Sequence, residues 1–305
     1  MSGFVRQLDS EELLHALDQI DLVDVLATEL SGRVTDPAAD DPGRAGRWTL
    51  DTARSRRSGA ELAVLSMPDA DTRFALPTAD LRACRCAALT TLASQLLLAP
   101  GVVTVTVLGS GFPAHVQSAV LGRLLPDVSH VAVHAGVATP RLVRQFAAAS
   151  IGLSVAPTAD DAVFGATLVV VTGDEPPVLR DTRLARGAVV VNASGRDLPA
   201  AFVDCVSSVY VDDLALLPAH PRRYLPPDAS RSAALPRFHQ VEADLAQVLT
   251  EVDAGRAHRD DVLLVELLST DRLDAYLALR VYQAVVELGL GTTTHLLADI
   301  MAGVN

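Results

Sequence analysis

The segment that most restricts what this chain can fold into is Gly109-Ser110-Gly111-Phe112-Pro113-Ala114. It lies between the β-branched run Val102–Leu108 and a helical stretch from Pro113 to Leu125. A continuous β-branched run marks a strand buried on both faces. The spacing Gly109-x-Gly111-x-x-Ala114 then has a geometric reading. The first glycine makes a tight turn, and the second lets backbone approach a pyrophosphate. A small third residue lets helix pack on strand, and the helix N-terminus offers amides and a positive dipole. The plain alternative is a strand–turn–helix that carries no ligand.

Beyond Leu125 the chain keeps the same rhythm. Val131-Ala132-Val133-His134 reads as the next strand, and Thr139-Pro140 as a capped helix start with proline in first position. Leu153–Val155, Thr167–Val171, Ala188–Val191, Val209–Val211 and Val262–Leu267 read as further strands, the last of them the final buried strand. Between them stand helical or polar connections. Phe238–Val252 reads as a helix, and the proline-rich stretch from Pro218 to Pro236 as a surface connection. Strands alternating with crossovers require a parallel sheet with helices on both faces. The fold class is therefore α/β, a Rossmann-type doubly wound parallel sheet with a smaller α+β domain beside it.

The smaller domain is read over residues 1–85 together with the C-terminal segment 272–305. Residues 86–271 form the dinucleotide-binding domain. In the first part, Ser10-Glu11-Glu12 opens a helix with a serine cap and acids in its first turn. A second helix covers Asp21–Leu30, closed by Gly32. Glu61–Ser66 and Arg73–Leu76 read as strands joined by a turn, and Asp80–Leu98 as a long buried helix. A last amphipathic helix runs from a Thr270-Asp271 cap to Gly289.

Composition narrows the partners. With 25 basic against 37 acidic residues the net charge is −12, which argues against a nucleic-acid or anionic-membrane surface. Every basic residue is arginine; there is no lysine, so no lysine can form a Schiff base or act as general acid. Cys84, Cys86 and Cys205 are too few and too close for a disulfide framework or a zinc site, and read as packing residues in a reducing, cytoplasmic setting. No metal is expected. The scattered histidines show no ligand spacing; His115 reads as solvated, and Asp212-Asp213 as turn charges.

A carboxylate for the ribose hydroxyls belongs about 20 residues beyond the glycine loop. Here that position is His134, and no acid follows until Asp160. One reading is a preference for NADPH, with Arg141 or Arg144 meeting the 2′-phosphate and His134 beside the ribose. The other is that these arginines form a solvated helix face.

Several strings, in order, resemble the ornithine cyclodeaminase and mu-crystallin family. Leu8–Gly32 is similar to its opening helical segment. Leu81-Arg82-Ala83-Cys84-Arg85-Cys86-Ala87-Ala88 resembles its arginine-bearing helix, and Asp161–Thr167 its Glu-Ala-Val-x-Gly-Ala-Asp step. Pro177-Val178-Leu179, Gly187 and Asn192-Ala193-Ser194-Gly195-Arg196-Asp197 match its later motifs. The resemblance implies nicotinamide-dependent redox chemistry at the carbon bearing an amino acid's nitrogen. It implies that Arg85 holds a substrate carboxylate, that Asp197 stands near the substrate nitrogen, and that Asn192 and Thr172 lie by the nicotinamide. The plain alternatives are a salt bridge for Arg85 and a turn for Asp197. The resemblance also implies a homodimer built through the first domain.

Departures from the pattern are as informative. The family's catalytic lysine has no counterpart, and the segment between Leu50 and Glu61 reads as too short for the strand that carries it. No glutamate follows Asp197 before Val203, and Arg44 and Arg47 are loose matches to a first-domain arginine. Ordinary ornithine cyclodeaminase activity is therefore not expected. Two functions remain. One is an NAD(P)H-dependent imine reductase or amino acid dehydrogenase, its substrate amino-acid-like, free or peptide-bound. The other is a catalytically silent relative that binds a small molecule or a partner chain.

Overall fold

A computed structural model describes residues 4–35, 48–55, 58–67, 72–133, 137–173, 184–219, 224–225, 239–253, 255–268, 272–295 and 300–302. His134, Arg44, Arg47, Pro177-Val178-Leu179 and the Thr270-Asp271 cap lie outside the described residues. The chain divides into two compact units, Met1–Arg85 with Asp271–Asn305, and Cys86–Thr270.

The second unit holds β5 (Val103–Leu108), α4 (Gly111–Leu124), β6 (Val128–Val133), α5 (Pro140–Ala148) and β7 (Gly152–Val155). It continues with α6 (Ala159–Val163), β8 (Leu168–Val171), β9 (Val189–Asn192), α7 (Ala200–Val203) and β10 (Ser208–Val211). The two-residue β11 (Tyr224–Leu225), β12 (His239–Asp244), α8 (Leu245–Leu249) and β13 (Leu263–Glu266) complete it. Its sheet runs β11-β12-β10-β13-β9-β8-β5-β6-β7, and every described pairing is parallel. All four residues of β8, of β9 and of β13 are buried, as central strands covered on both faces must be. The core on one face gathers Val169, Val171, Val190, Val209, Val211 and Leu264 around Phe202 and Leu198.

Local chemistry fixes the helix starts. Thr139 caps α5, its hydroxyl accepting the Leu142 amide at 3.3 Å, and Pro140 takes the first turn, where a missing N–H costs nothing. Thr158 caps α6 in the same way, accepting the Asp161 amide at 3.1 Å.

The first unit builds a six-stranded sheet, β14-β1-β4-β3-β2-β15. Its strands are β1 (Phe4–Gln7), β2 (Thr49–Ser55), β3 (Glu61–Ser66), β4 (Thr72–Pro77), β14 (Thr292–His295) and β15 (Ile300–Ala302). Its helices are α1 (Ser10–Leu17), α2 (Leu22–Thr35), the start of α3 (Thr78–Leu97) and α9 (Arg272–Leu288). Phe74 of β4 packs on Tyr282 of α9 with ring centroids 5.6 Å apart, joining this sheet to its long helix.

Several expectations need correction. Residues 239–244 pair as a parallel strand instead of opening a helix; the helix starts only after Asp244, which forms a capping box with Gln247. β13 is not the last strand, since β14 and β15 follow it. α2 runs past Gly32, Asp9 rather than Ser10 caps α1, and Cys205 is exposed while Cys84 is buried.

Candidate functional site

The strand order reverses at β5. The chain leaves it for β6 and β7 on one side, then returns to β8 on the other. Connections on opposite sides open a crevice outside the carboxyl ends of β5 and β8, the place where doubly wound sheets take their ligands. Gly109, Ser110 and Gly111 stand at the first of those ends, Thr172 and Gly173 at the second.

The two ends touch. The Thr172 amide donates to the Leu108 carbonyl at 2.8 Å. Gly109 has φ 135°, a conformation open in practice to glycine alone. A Cβ there would strike the Thr172 carbonyl oxygen and lie 2.8 Å from its Cγ2. Gly111 has φ 68°, but a Cβ on it would meet no protein atom closer than 3.9 Å. The first glycine is thus demanded by the fold, while the second leaves open space at the head of α4. Ser110 occupies the N-cap without making a side-chain cap bond, and Pro113 has no N–H. The Phe112 amide therefore lacks the side-chain acceptor that a helix start usually supplies. Ala114, fully buried, lets α4 press on the sheet. These residues fit the pyrophosphate of a dinucleotide.

His115 is 7 % exposed, not solvated as its sequence context suggests. Its Nδ1 shares a 3.4 Å hydrogen bond with the Thr139 hydroxyl at the head of α5. Burial pushes its pKa below the ordinary histidine value; the Val137 backbone opposes this and the Arg141 charge adds to it. Arg141 sits half-buried in the first turn of α5, and Arg144 is exposed.

On the other side of the crevice, Asn192 ends β9 and is 1 % exposed. Its Nδ2 donates to the Arg196 carbonyl and to Glu266 Oε2, both at 2.8 Å. Its Oδ1 accepts the Ser194 hydroxyl at 2.7 Å and the Ser194 amide at 3.2 Å. The side chain is a knot that closes the turn leading to Asp197, which is itself exposed. Glu266, at the end of β13 and directly beside Asn192 in register, is 6 % exposed. Sequence reasoning passes over it as part of a buried strand. Asp212 is likewise no turn charge: it is 1 % exposed, and its Oδ1 accepts the Leu268 amide at 2.8 Å.

Arg85 belongs to the first unit and is buried. Its Nη1 lies 2.6 Å from Asp274 Oδ2 of α9, with the side chains 1 % and 7 % exposed. An internal carboxylate thus already stands on the guanidinium that the resemblance assigns to a substrate. The first unit also carries a cleft of about 340 Å³ lined by Gln7, Asp9, Glu12, Ser55, Ser58 and Thr292 among others. Its carboxylates serve the fold: Glu12 accepts the Gly291 amide at 3.0 Å and the Asp9 amide at 3.1 Å, and Asp9 accepts the Glu12 amide at 2.8 Å. Among the described residues no group of three or more His, Cys, Asp or Glu is placed to hold a metal, and no helix is long and apolar enough to cross a membrane.

The sequence matches the model of the ornithine cyclodeaminase/mu-crystallin family over residues 50–287. No curated protein matches it in sequence. Among solved structures it is similar to CmnK, at 23 % identity and a TM-score of 0.66 over 97 % of this chain and 99 % of that one. An archaeal alanine dehydrogenase dimer with bound NAD is 14 % identical, with a TM-score of 0.64 over 96 % and 99 % of the two chains. The iminosuccinate reductase of Paracoccus denitrificans in complex with NAD+ is 13 % identical, with a TM-score of 0.62 over 96 % and 99 %. At these identities the likeness is one of fold.

Proposed function

Since the chain belongs to the ornithine cyclodeaminase/mu-crystallin family, we propose that it is an NAD(P)H-dependent oxidoreductase acting at a C=N or Cα–N bond of an amino-acid-derived substrate. The observation that carries this reading is the cradle at the strand reversal, where Gly109 closes on Thr172 and the head of α4 is left open. Gly109, Ser110, Gly111, Phe112, Pro113 and Ala114 would hold the pyrophosphate, with Thr172 as the opposite wall. Arg141 and His134 would meet the adenosine ribose, with NADPH favoured over NADH.

A nicotinamide supplies hydride exchange with the substrate carbon. The protein's own residues must place that carbon and manage one proton on the nitrogen. Asp197 is exposed at the end of a turn fixed by Asn192, so it can reach a substrate nitrogen and give or take that proton. Arg85 remains the proposed anchor for the substrate carboxylate, a job suited to its planar fork, but the carboxylate must share the guanidinium with Asp274 or displace it. Lacking lysine throughout, the chain cannot run chemistry that needs a lysine ammonium, and ordinary ornithine cyclodeamination is not proposed. A homodimer through the first unit belongs to the same reading.

The Arg85–Asp274 pair favours a second reading, a silent relative that keeps the cofactor cradle while an internal carboxylate closes the substrate anchor. The two separate in one assay, loss of nicotinamide absorbance with cyclic imine carboxylates as acceptors. The enzyme reading expects turnover that falls at least about tenfold in kcat for Asp197→Asn, with folding intact because the residue is exposed. Cofactor binding without turnover on any imine tried would favour the silent relative.

A further inference from the structure

Glu266 takes no part in the proposed chemistry, and its position is unusual. It is a nearly buried carboxylate at the carboxyl edge of the sheet, separated from the pyrophosphate cradle by β9 and β8. Its Oε2 accepts Asn192 Nδ2 at 2.8 Å, and Asn192 in turn is held by Ser194 and the Arg196 carbonyl. The carboxylate is therefore fixed in place by a side chain that cannot easily turn away.

A dinucleotide lying across the strand reversal puts one half on each side of it. The α5 head, with Thr139 and Arg141, lies on the β6 side. The nicotinamide half is then left with the ends of β8, β9 and β13, where Thr172, Asn192 and Glu266 stand. The oxidised ring carries a positive charge and the reduced ring carries none, so a fixed carboxylate in a poorly solvated site distinguishes the two by charge alone.

We propose that Glu266 sets the redox preference of the bound cofactor, favouring the oxidised over the reduced nicotinamide, with Asn192 as the residue that positions it. The inference rests on the cofactor reading of the glycine cradle. It biases the bound cofactor toward giving up hydride, and so toward reducing a C=N bond, because stabilising the oxidised ring favours the side of the exchange that holds it.

The test is the pair of dissociation constants for NADP+ and NADPH, measured by calorimetry on the intact protein and on Glu266→Gln. The amide oxygen can still accept from Asn192, so the variant removes charge and keeps shape. The proposal expects the ratio of the oxidised to the reduced constant to rise about fivefold to tenfold while the NADPH constant holds within about twofold. Equal weakening of both forms, or no change in either, would make Glu266 a structural residue and overturn the proposal while leaving the cofactor reading intact. Failure of the unmodified protein to bind either form would remove the cofactor reading first. Should Glu266→Gln not fold, Glu266→Met carries the same comparison, since the ratio responds to charge and not to the lost hydrogen bond.

Discussion

Replacing Gly109 by alanine should disable the second unit, and replacing Gly111 should not. At Gly109 a methyl group meets the Thr172 carbonyl, with its carbon at 2.9 Å, in a backbone conformation of φ 135°. That strain costs about 1–3 kcal/mol. Moving Thr172 away would also stretch the 2.8 Å bond from its amide to Leu108, worth about 1 kcal/mol more. A total of about 3 kcal/mol lowers the melting temperature of a unit of this size by roughly 6–12 °C. At Gly111 only the φ of 68° is adverse, at about 1–2 kcal/mol, because the nearest atom is 3.9 Å off. Its methyl would instead enter the space left for the pyrophosphate. Thermal unfolding followed by circular dichroism, with and without NADPH, separates the two. Gly109→Ala should melt early with or without cofactor. Gly111→Ala should melt near the wild type but lose most of the cofactor's stabilising effect. A Gly109→Ala protein that melts within about 2 °C of the wild type would refute the reasoning, since the loop would then have room to move.

Breaking the Arg85–Asp274 pair by Asp274→Ala leaves a buried guanidinium and should cost about 3–5 kcal/mol in urea unfolding; Arg85→Met with Asp274→Leu should recover most of it. Because burial lowers the His115 pKa, the folded state resists a proton that the unfolded chain accepts below about pH 6.5. Its share of stability is therefore present above that pH and lost on acidification through the lowered value, and His115→Phe should flatten that part of the stability curve. At the alkaline end, burial lifts Tyr210 to about 12 while its hydroxyl donates to the Gly255 carbonyl at 2.8 Å. Stability should hold below about pH 10 and fall as the pH rises toward about 12, and Tyr210→Phe should remove that fall.

What could be read from the sequence was whatever local pattern dictates. The β5–glycine loop–α4 unit is carried by a β-branched run meeting two glycines, and α5 by a Thr-Pro start. Both lie where those signals place them. Residues 239–244 mislead because their apolar positions blend into those of the helix beyond them; the Asp244-x-x-Gln247 capping box, visible in the sequence, marks the true start. Polar strands such as β2 and the threonine-rich β14 form because neighbours in the sheet supply their partners, which no local window contains. The same limit hides the site's acids. The apolar run around Glu266 marks a buried strand but not what the carboxylate meets, and nothing near Asp212 says that it is buried; both come from strands distant in sequence closing over them. Arg85 was legible as functionally interesting, but its partner Asp274 lies far along the chain and emerges only from the fold.

The central claim is that the cradle at the β5–β8 reversal binds a nicotinamide dinucleotide. Its most direct test is a calorimetric titration of the purified protein with NADH and with NADPH, repeated on Arg141→Ala. The account expects binding in the micromolar range, tighter for NADPH, with the difference narrowed in the Arg141 variant. Absence of binding to either cofactor at millimolar concentration would contradict it, and would leave the glycine loop as a turn that serves only the fold.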